Sequence, residues 1–340
     1  MENSLKTAAK KEYEYMKKLK PIFRYDGKED FALWQKRAKE KLANLLCMEK
    51  IEKCDLDIKV EYEKECDGYK EIRFTFQSER NYRVPSHILI PDSADKNTPL
   101  VICLQGHSTG MHISLGNPKF PGDEEDIKGG DRDFAQRTIK EGYCALVIDQ
   151  RGMGECGGDE KGPKCHIPAM SALINGRTIT GERVWDVSRA IDAAIDKFSD
   201  YFDGNEIICM GNSGGGTTTI YASCMDERIR LAMPSCAFAS YADSIGAMHH
   251  CQCNYVPQIA ENLDMGDLLC LVAPRFLVVV SGKEDKIFPI ESAREMFEIT
   301  KTGYIASGGK DNCAMIEGNG GHRFYADDAW PVANKYIKQM

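Results

Sequence analysis

No run of about 18 apolar residues occurs among the 340 residues of this chain, so no membrane-spanning helix is expected. Positive charge is not in excess. The 44 Lys and Arg stand against 52 Asp and Glu, a net charge of -8 that argues against nucleic acid or an anionic membrane as a partner. The opening Met1-Glu2-Asn3-Ser4-Leu5-Lys6 runs into a charged segment without the apolar core of a secretion leader, and a cytoplasmic protein is expected. Internal repeats and low-complexity tracts are missing as well. The 14 cysteines form no disulfide framework; in a leaderless chain they read as reduced, mostly buried thiols. Their densest group, His249-His250-Cys251-Gln252-Cys253, has a Cys-x-Cys without a matching second pair. Packing or a lid wall is therefore expected there, with no metal and no other cofactor.

What is present is an ordinary globular composition, 42% hydrophobic and 28% charged, long enough for one large α/β domain. Residues 1–70 read as a helical extension. Phe31, Trp34, Ala38, Leu42 and Leu45 recur at intervals of three and four, and Asp26-Gly27-Lys28 separates this helix from the one before it. Residues 71–340 read as the main domain. Ile72, Phe74 and Phe76 alternate with polar residues, and a second run, Val84 to Ile90, comes after Glu79-Arg80-Asn81, as in an antiparallel hairpin. Continuous apolar runs come next: Leu100 to Leu104, Cys144 to Ile148, Ile207 to Met210, Ile229 to Met233, Phe276 to Val280 and Cys313 to Ile316. Runs of this kind suit strands buried on both faces. Helical stretches lie between them, the clearest carrying Val184, Val187, Ile191, Ala194, Ile195 and Phe198 on one face. The alternation predicts a mostly parallel, doubly covered sheet with ligands at the carboxyl ends of its strands. Two long connections, Thr109 to Gly130 and Ala237 to Leu268, are candidates for the rim of a cleft.

The most informative stretch is Ile207-Ile208-Cys209-Met210-Gly211-Asn212-Ser213-Gly214-Gly215-Gly216. An apolar strand ends in Gly-x-Ser-x-Gly and leads into a helix-compatible stretch, the sequence form of a nucleophile elbow. A serine hydroxyl needs a base, and the base needs an orienting acid. In the elbow fold the chain order is Ser, acid, His. Of seven histidines, His322 in Gly320-Gly321-His322-Arg323 lies after the last strand and before the last helix. The acid should come after Phe276 to Val280, where Asp285 is the choice and Glu284 the reserve. Oxyanion donors are expected from the amide of Gly214 and, in the loop after Leu104, from that of His107. Gly152-Met153-Gly154-Glu155-Cys156-Gly157 matches a dinucleotide fingerprint. The next residues, Gly158 to Pro163, cannot open a helix, so dinucleotide binding is not expected. Arg151 and Glu155 either structure the sheet edge or touch substrate, and Tyr255 is a further candidate substrate contact.

These residues resemble the α/β-hydrolase superfamily, and within it the acetyl xylan esterase and dienelactone hydrolase-like group of serine esterases. The resemblance covers about residues 70 to 340. It rests on Leu104-Gln105-Gly106-His107, Asp149 to Glu155, Gly211 to Gly215, Gly282 to Asp285 with Pro289, and Gly321-His322. Two departures stand out. Gln105 occupies a position where many relatives have His, and Gly214 stands where glucuronoyl esterases have Arg. The resemblance implies a bacterial-type serine esterase that deacylates a small ester, an acetylated sugar or oligosaccharide. A homo-oligomer is left open. Two alternatives compete: a prolyl-oligopeptidase-like peptidase, for which 70 leading residues are too few to build a propeller, and a non-catalytic scaffold.

Overall fold

The computed structural model describes residues 7–157 and 163–340. Residues 1–6, on which the expectation of a leaderless chain rests, and 158–162, within the segment that speaks against dinucleotide binding, lie outside the described residues. The chain opens with helices α1 (Ala8–Met16) and α2 (Phe31–Leu46). Asp30 caps α2 by accepting from the Leu33 amide at 3.0 Å. The expected face of α2 is buried: Phe31, Trp34, Ala38, Leu42 and Leu45 join a core with Tyr221, Phe238 and Leu268.

Strands β1 (Lys59–Glu65), β2 (Tyr69–Glu79) and β3 (Tyr82–Pro91) form an antiparallel meander. The expected hairpin is the β2–β3 pair. By contrast, β1 falls inside the segment expected to be helical. Its sequence, Lys-Val-Glu-Tyr-Glu-Lys-Glu, is exposed along its whole length, so it carries no buried alternation from which a strand could be read. Its charges suit an open sheet edge.

Six further strands complete the sheet: β4 (Leu100–Leu104), β5 (Cys144–Ile148), β6 (Ile207–Asn212), β7 (Ile229–Ser235), β8 (Phe276–Gly282) and β9 (Cys313–Gly318). Each coincides with one of the continuous apolar runs. The nine strands form one sheet in the order β1-β2-β3-β5-β4-β6-β7-β8-β9, parallel from β5 to β9.

Because side chains alternate along a strand, each run feeds two cores. Val101, Val147, Met210 and Val280 pack under α4 (Phe134–Lys140) and α11 (Ala326–Ile337). Ile102, Leu146 and Cys209 pack under α6 (Ile179–Phe198), through its Val187, Ile191 and Ala194. Helices α7 (Gly214–Met225), α9 (Met265–Cys270) and α10 (Ile290–Ala306) cover the remainder of that face together with α2, and the short helices α3 (Asp123–Gly130), α5 (His166–Ile174) and α8 (Ile259–Asn262) lie in the connections. The sheet therefore presents one carboxyl edge, and the loops leaving β4, β6, β7, β8 and β9 all start there.

Candidate active site

Ser213 sits between the last residue of β6 and the first of α7, with φ 56° and ψ -121°. A residue with a Cβ rarely adopts this conformation, and strain of this kind is concentrated at functional sites. Two close approaches explain the surrounding glycines. A Cβ on Gly215 would overlap the Leu104 carbonyl oxygen of β4, and one on Gly106 would lie 2.6 Å from the Asn212 carbonyl oxygen. The turn is held by the Ser213 amide, which donates to the Ser235 carbonyl at 2.8 Å, and by Thr217, whose amide donates to the Ser213 carbonyl at 2.8 Å. The serine side chain makes no capping bond to α7, so its hydroxyl is not consumed as a helix cap.

The loop after β8 delivers Asp285, which is buried, while Glu284 beside it is exposed. Asp285 divides its two oxygens. Oδ1 accepts from the amides of Ile287 at 2.8 Å and Phe288 at 3.2 Å, which fixes the turn. Oδ2 lies 2.8 Å from His322 Nδ1. Burial works against the charge on this carboxyl, but the His322 bond and the two amides prevail and hold it below the ordinary carboxylate range. The loop after β9 brings His322 back over the sheet edge. It is anchored by the Glu284 amide on the Gly320 carbonyl at 2.8 Å and by the Tyr325 hydroxyl on the Gly321 carbonyl at 2.7 Å. Phe288 lies parallel to the imidazole, with ring centroids 6.2 Å apart.

Ser213, Gly214, His107 and His322 line one cleft of about 650 Å³, together with His249, His250, Gln252, Asn254 and Phe288. Ser213 makes no direct hydrogen bond to His322 among the described residues, a spacing common in sites without substrate. The amides of Gly214 and His107 have no acceptor among the described residues, and that of Gly214 opens α7, where helix amides are unpaired and the dipole favours negative charge. Gln150 ties this floor together: Nε2 donates to the Gln105 carbonyl at 2.6 Å, and Oε1 accepts from Thr218 of α7 at 2.5 Å. The connection Ala237 to Leu268 does form part of the cleft rim.

The three candidate substrate contacts lie elsewhere. Arg151 is buried and committed to carboxylates: Asp186 at 2.8 Å, Glu79 at 2.6 Å and Glu182 at 3.1 Å. Its guanidinium also covers the Tyr82 ring at 4.1 Å, so it clamps α6 to the β2–β3 hairpin. Glu155 makes a two-pronged bond with Arg73 at 2.9 and 2.7 Å and lines a separate cavity with His87 and Phe120. Tyr255 is 44% exposed and faces a groove beside α1 with Tyr15 and Met16. The Asp149 to Glu155 element is therefore structural around its acid as well. Buried Asp149, pushed up to about 7 by burial, accepts from the amides of Met111 and Glu155, each at 2.8 Å.

One sheet, one serine elbow and a histidine-bearing loop after the last strand decide the architecture. The chain has the α/β-hydrolase fold. An Abhydrolase family model matches residues 10–167, a little under half of the chain. The Bacillus subtilis protein YtaP, which is named as a hydrolase, is 24% identical over 247 residues, covering 71% of this chain and 78% of YtaP. Among solved structures, BF1801 of Bacteroides fragilis, to which acetyl xylan esterase activity is ascribed, superposes with a TM-score of 0.77. It is 15% identical, with 92% of this chain and 82% of that one covered. A glucuronoyl esterase from Solibacter usitatus gives a TM-score of 0.69 at 16% identity, over 94% and 97% of the two chains. At such identities these likenesses are likenesses of fold.

Two residues of the cleft region carry more than the sequence alone reveals. The sequence assigns His107 only its amide, yet its ring packs against Gly214 and reaches Cys253. Nothing in the sequence marks Cys165, and it lies beside them. No local spacing links positions 107, 165 and 253; only the strand order brings them together.

Proposed function

We propose that this α/β-hydrolase is a serine carboxylester hydrolase acting on small acyl esters, acetyl first, of sugars or oligosaccharides. The observation that carries the reading is the 2.8 Å bond between Asp285 and His322 in the cleft that also holds the strained Ser213. Ser213 Oγ attacks the acyl carbon as His322 Nε2 takes its proton. Asp285 holds the imidazole by Nδ1 and stabilises the cation formed. The amides of Gly214 and His107 receive the oxyanion. Collapse expels the alcohol, protonated by His322, and water then attacks the acyl-enzyme by the same route in reverse.

Support for a polar alcohol comes from the rim, where exposed His249 and half-buried Gln252 offer hydrogen-bonding groups to hydroxyls, backed by His250 and Asn254. Among the described residues, the rim lacks the continuous apolar surface that an oil-binding lid needs. The ascribed activity of BF1801 points the same way. The test compares kcat/KM on acetyl, butyryl and octanoyl esters, an acetylated xylo-oligosaccharide, a methyl-esterified uronate and a proline anilide. The acetylated saccharide should lead. Preference for the octanoyl ester, the uronate or the anilide would overturn the substrate class, and Ser213→Ala should lower kcat about 10⁶-fold on any substrate.

A further inference from the structure

Three cysteines and a histidine from three loops converge at one wall of the serine cleft. His107 Nε2 lies 3.1 Å from Cys253 Sγ, and Cys253 Sγ lies 3.4 Å from Cys251 Sγ. Cys165 Sγ completes the group, so that one donor atom from each of the four residues lies within 4.8 Å of every other. Cys165 and Cys253 are buried, and His107 and Cys251 are half-buried. Position 107 comes after β4, 165 after β5, and 251 and 253 after β7, so the parallel sheet delivers all four to its carboxyl edge.

Charge gives an independent argument. Arg183 of α6 is buried at 2% exposure beside this cluster. Its Nη2 donates to Cys165 Sγ at 3.2 Å, its Nε donates to the Arg151 carbonyl at 3.0 Å, and no carboxylate reaches it among the described residues. A buried cation without a counter-charge is strongly unfavourable. The groups next to it that can carry negative charge are the sulfurs. Several unmetallated thiolates this close together would repel one another.

We propose that His107, Cys165, Cys251 and Cys253 form a site for one zinc ion. Around a tetrahedral zinc with sulfur at about 2.3 Å and nitrogen at about 2.0 Å, neighbouring donors lie roughly 3.5 to 3.8 Å apart. The 3.1 and 3.4 Å spacings need to open by only a few tenths of an ångström, and the remaining pairs lie within 4.8 Å. Binding forms three Zn–S bonds and one Zn–N bond and releases three thiol protons, with no change of oxidation state. The zinc and its three thiolates carry one net negative charge, which the Arg183 guanidinium offsets. Thiolate and imidazole donors select zinc over magnesium or calcium. With four protein ligands the coordination is closed, so the ion is structural and activates no water.

One consequence rests on the proposed role of Ser213. Zinc on Nε2 leaves the His107 proton on Nδ1 and pins the loop that supplies an oxyanion amide to the wall carrying Cys251 and Cys253. Removing zinc should then lower kcat, and restoring it should recover the activity.

The test begins with tag-free protein purified in reductant without chelator. Metal analysis should find one zinc per chain. Cobalt added to the zinc-stripped protein should give the visible absorption of a tetrahedral site and thiolate-to-cobalt charge-transfer bands. Cys251→Ala, at the rim, should lower zinc content at least tenfold at limiting free zinc with an unchanged far-ultraviolet spectrum. Cys66→Ser, remote from the cluster, should retain full zinc. A stripped wild-type protein that takes up no cobalt would overturn the proposal, as would Cys251→Ala and Cys165→Ala variants that keep one zinc per chain. Should Cys251→Ala fail to fold, the wild-type cobalt spectrum decides. None of these readouts requires ester turnover, so an inactive protein with one zinc refutes only the esterase reading, and an active metal-free protein refutes only the zinc site.

Discussion

Replacing Ser213 by glycine should make the protein more stable while removing its activity. The side chain stands at φ 56° and ψ -121°, and a residue with a Cβ held in such a region costs on the order of 1–3 kcal/mol. Glycine relieves that strain. Against this, the glycine chain loses more freedom on folding, about 0.5–1 kcal/mol. The net gain is about 1 kcal/mol, which for a chain of this size raises Tm by about 2 °C. Ser213→Ala is the control. Alanine keeps the Cβ and therefore the strain, and the hydroxyl it removes makes no hydrogen bond to the protein among the described residues, so its Tm should match that of the parent. Scanning calorimetry on the three proteins, side by side at one scan rate, reads the difference. If Ser213→Gly melts at or below Ser213→Ala, the strain argument fails, and the elbow is held by its surroundings at no cost to the fold.

Other expectations concern the neighbours of the serine. Asp285→Asn should lower kcat by about 10⁴ on any ester, because the amide stabilises neither the histidine tautomer nor the imidazolium, whereas Glu284→Gln at the exposed neighbour should leave kcat almost unchanged; steady-state kinetics on both variants checks the acid. The Asp285 carboxyl is held below its ordinary value of 3.8 in the fold, so the stability it confers is present above about that pH and is lost as pH falls through the lower folded value. Urea titrations between pH 2 and 6 should therefore show a flatter acid limb in Asp285→Asn. Gly215→Ala drives a Cβ into the Leu104 carbonyl and should destabilise the protein by about 1–3 kcal/mol, read as a lower urea midpoint at an unchanged slope.

The strands from β4 to β9 are legible in the sequence because each is an apolar run buried on both faces, a pattern that composition and length resolve without any knowledge of partners. The elbow is legible for a related reason: its glycines are demanded by backbone approaches within one local turn, and Asp285 and His322 come after strands already visible. The features that escape depend on contacts between residues far apart in the chain. The edge strand β1 is exposed and charged, so no burial pattern marks it. Arg151 sits in a motif that reads as a site element, but its partners Glu79, Glu182 and Asp186 come from a hairpin and a helix whose contact cannot be inferred from spacing. Tyr255 belongs to the rim connection, yet it turns toward α1. Cys251 and Cys253 lack a second pair in the sequence because their partners are His107 and Cys165, which the order of parallel strands places beside them.

The central claim, that Ser213 is an activated nucleophile, is tested most directly by covalent trapping. A fluorophosphonate should react once per chain, releasing fluoride, and peptide mass mapping should place the phosphonyl group on Ser213. Ser213→Ala should take up no label, and His322→Ala should react orders of magnitude more slowly with an unchanged melting profile. A parent protein that stays unlabelled, or a label that maps to another residue and persists in Ser213→Ala, would contradict the account.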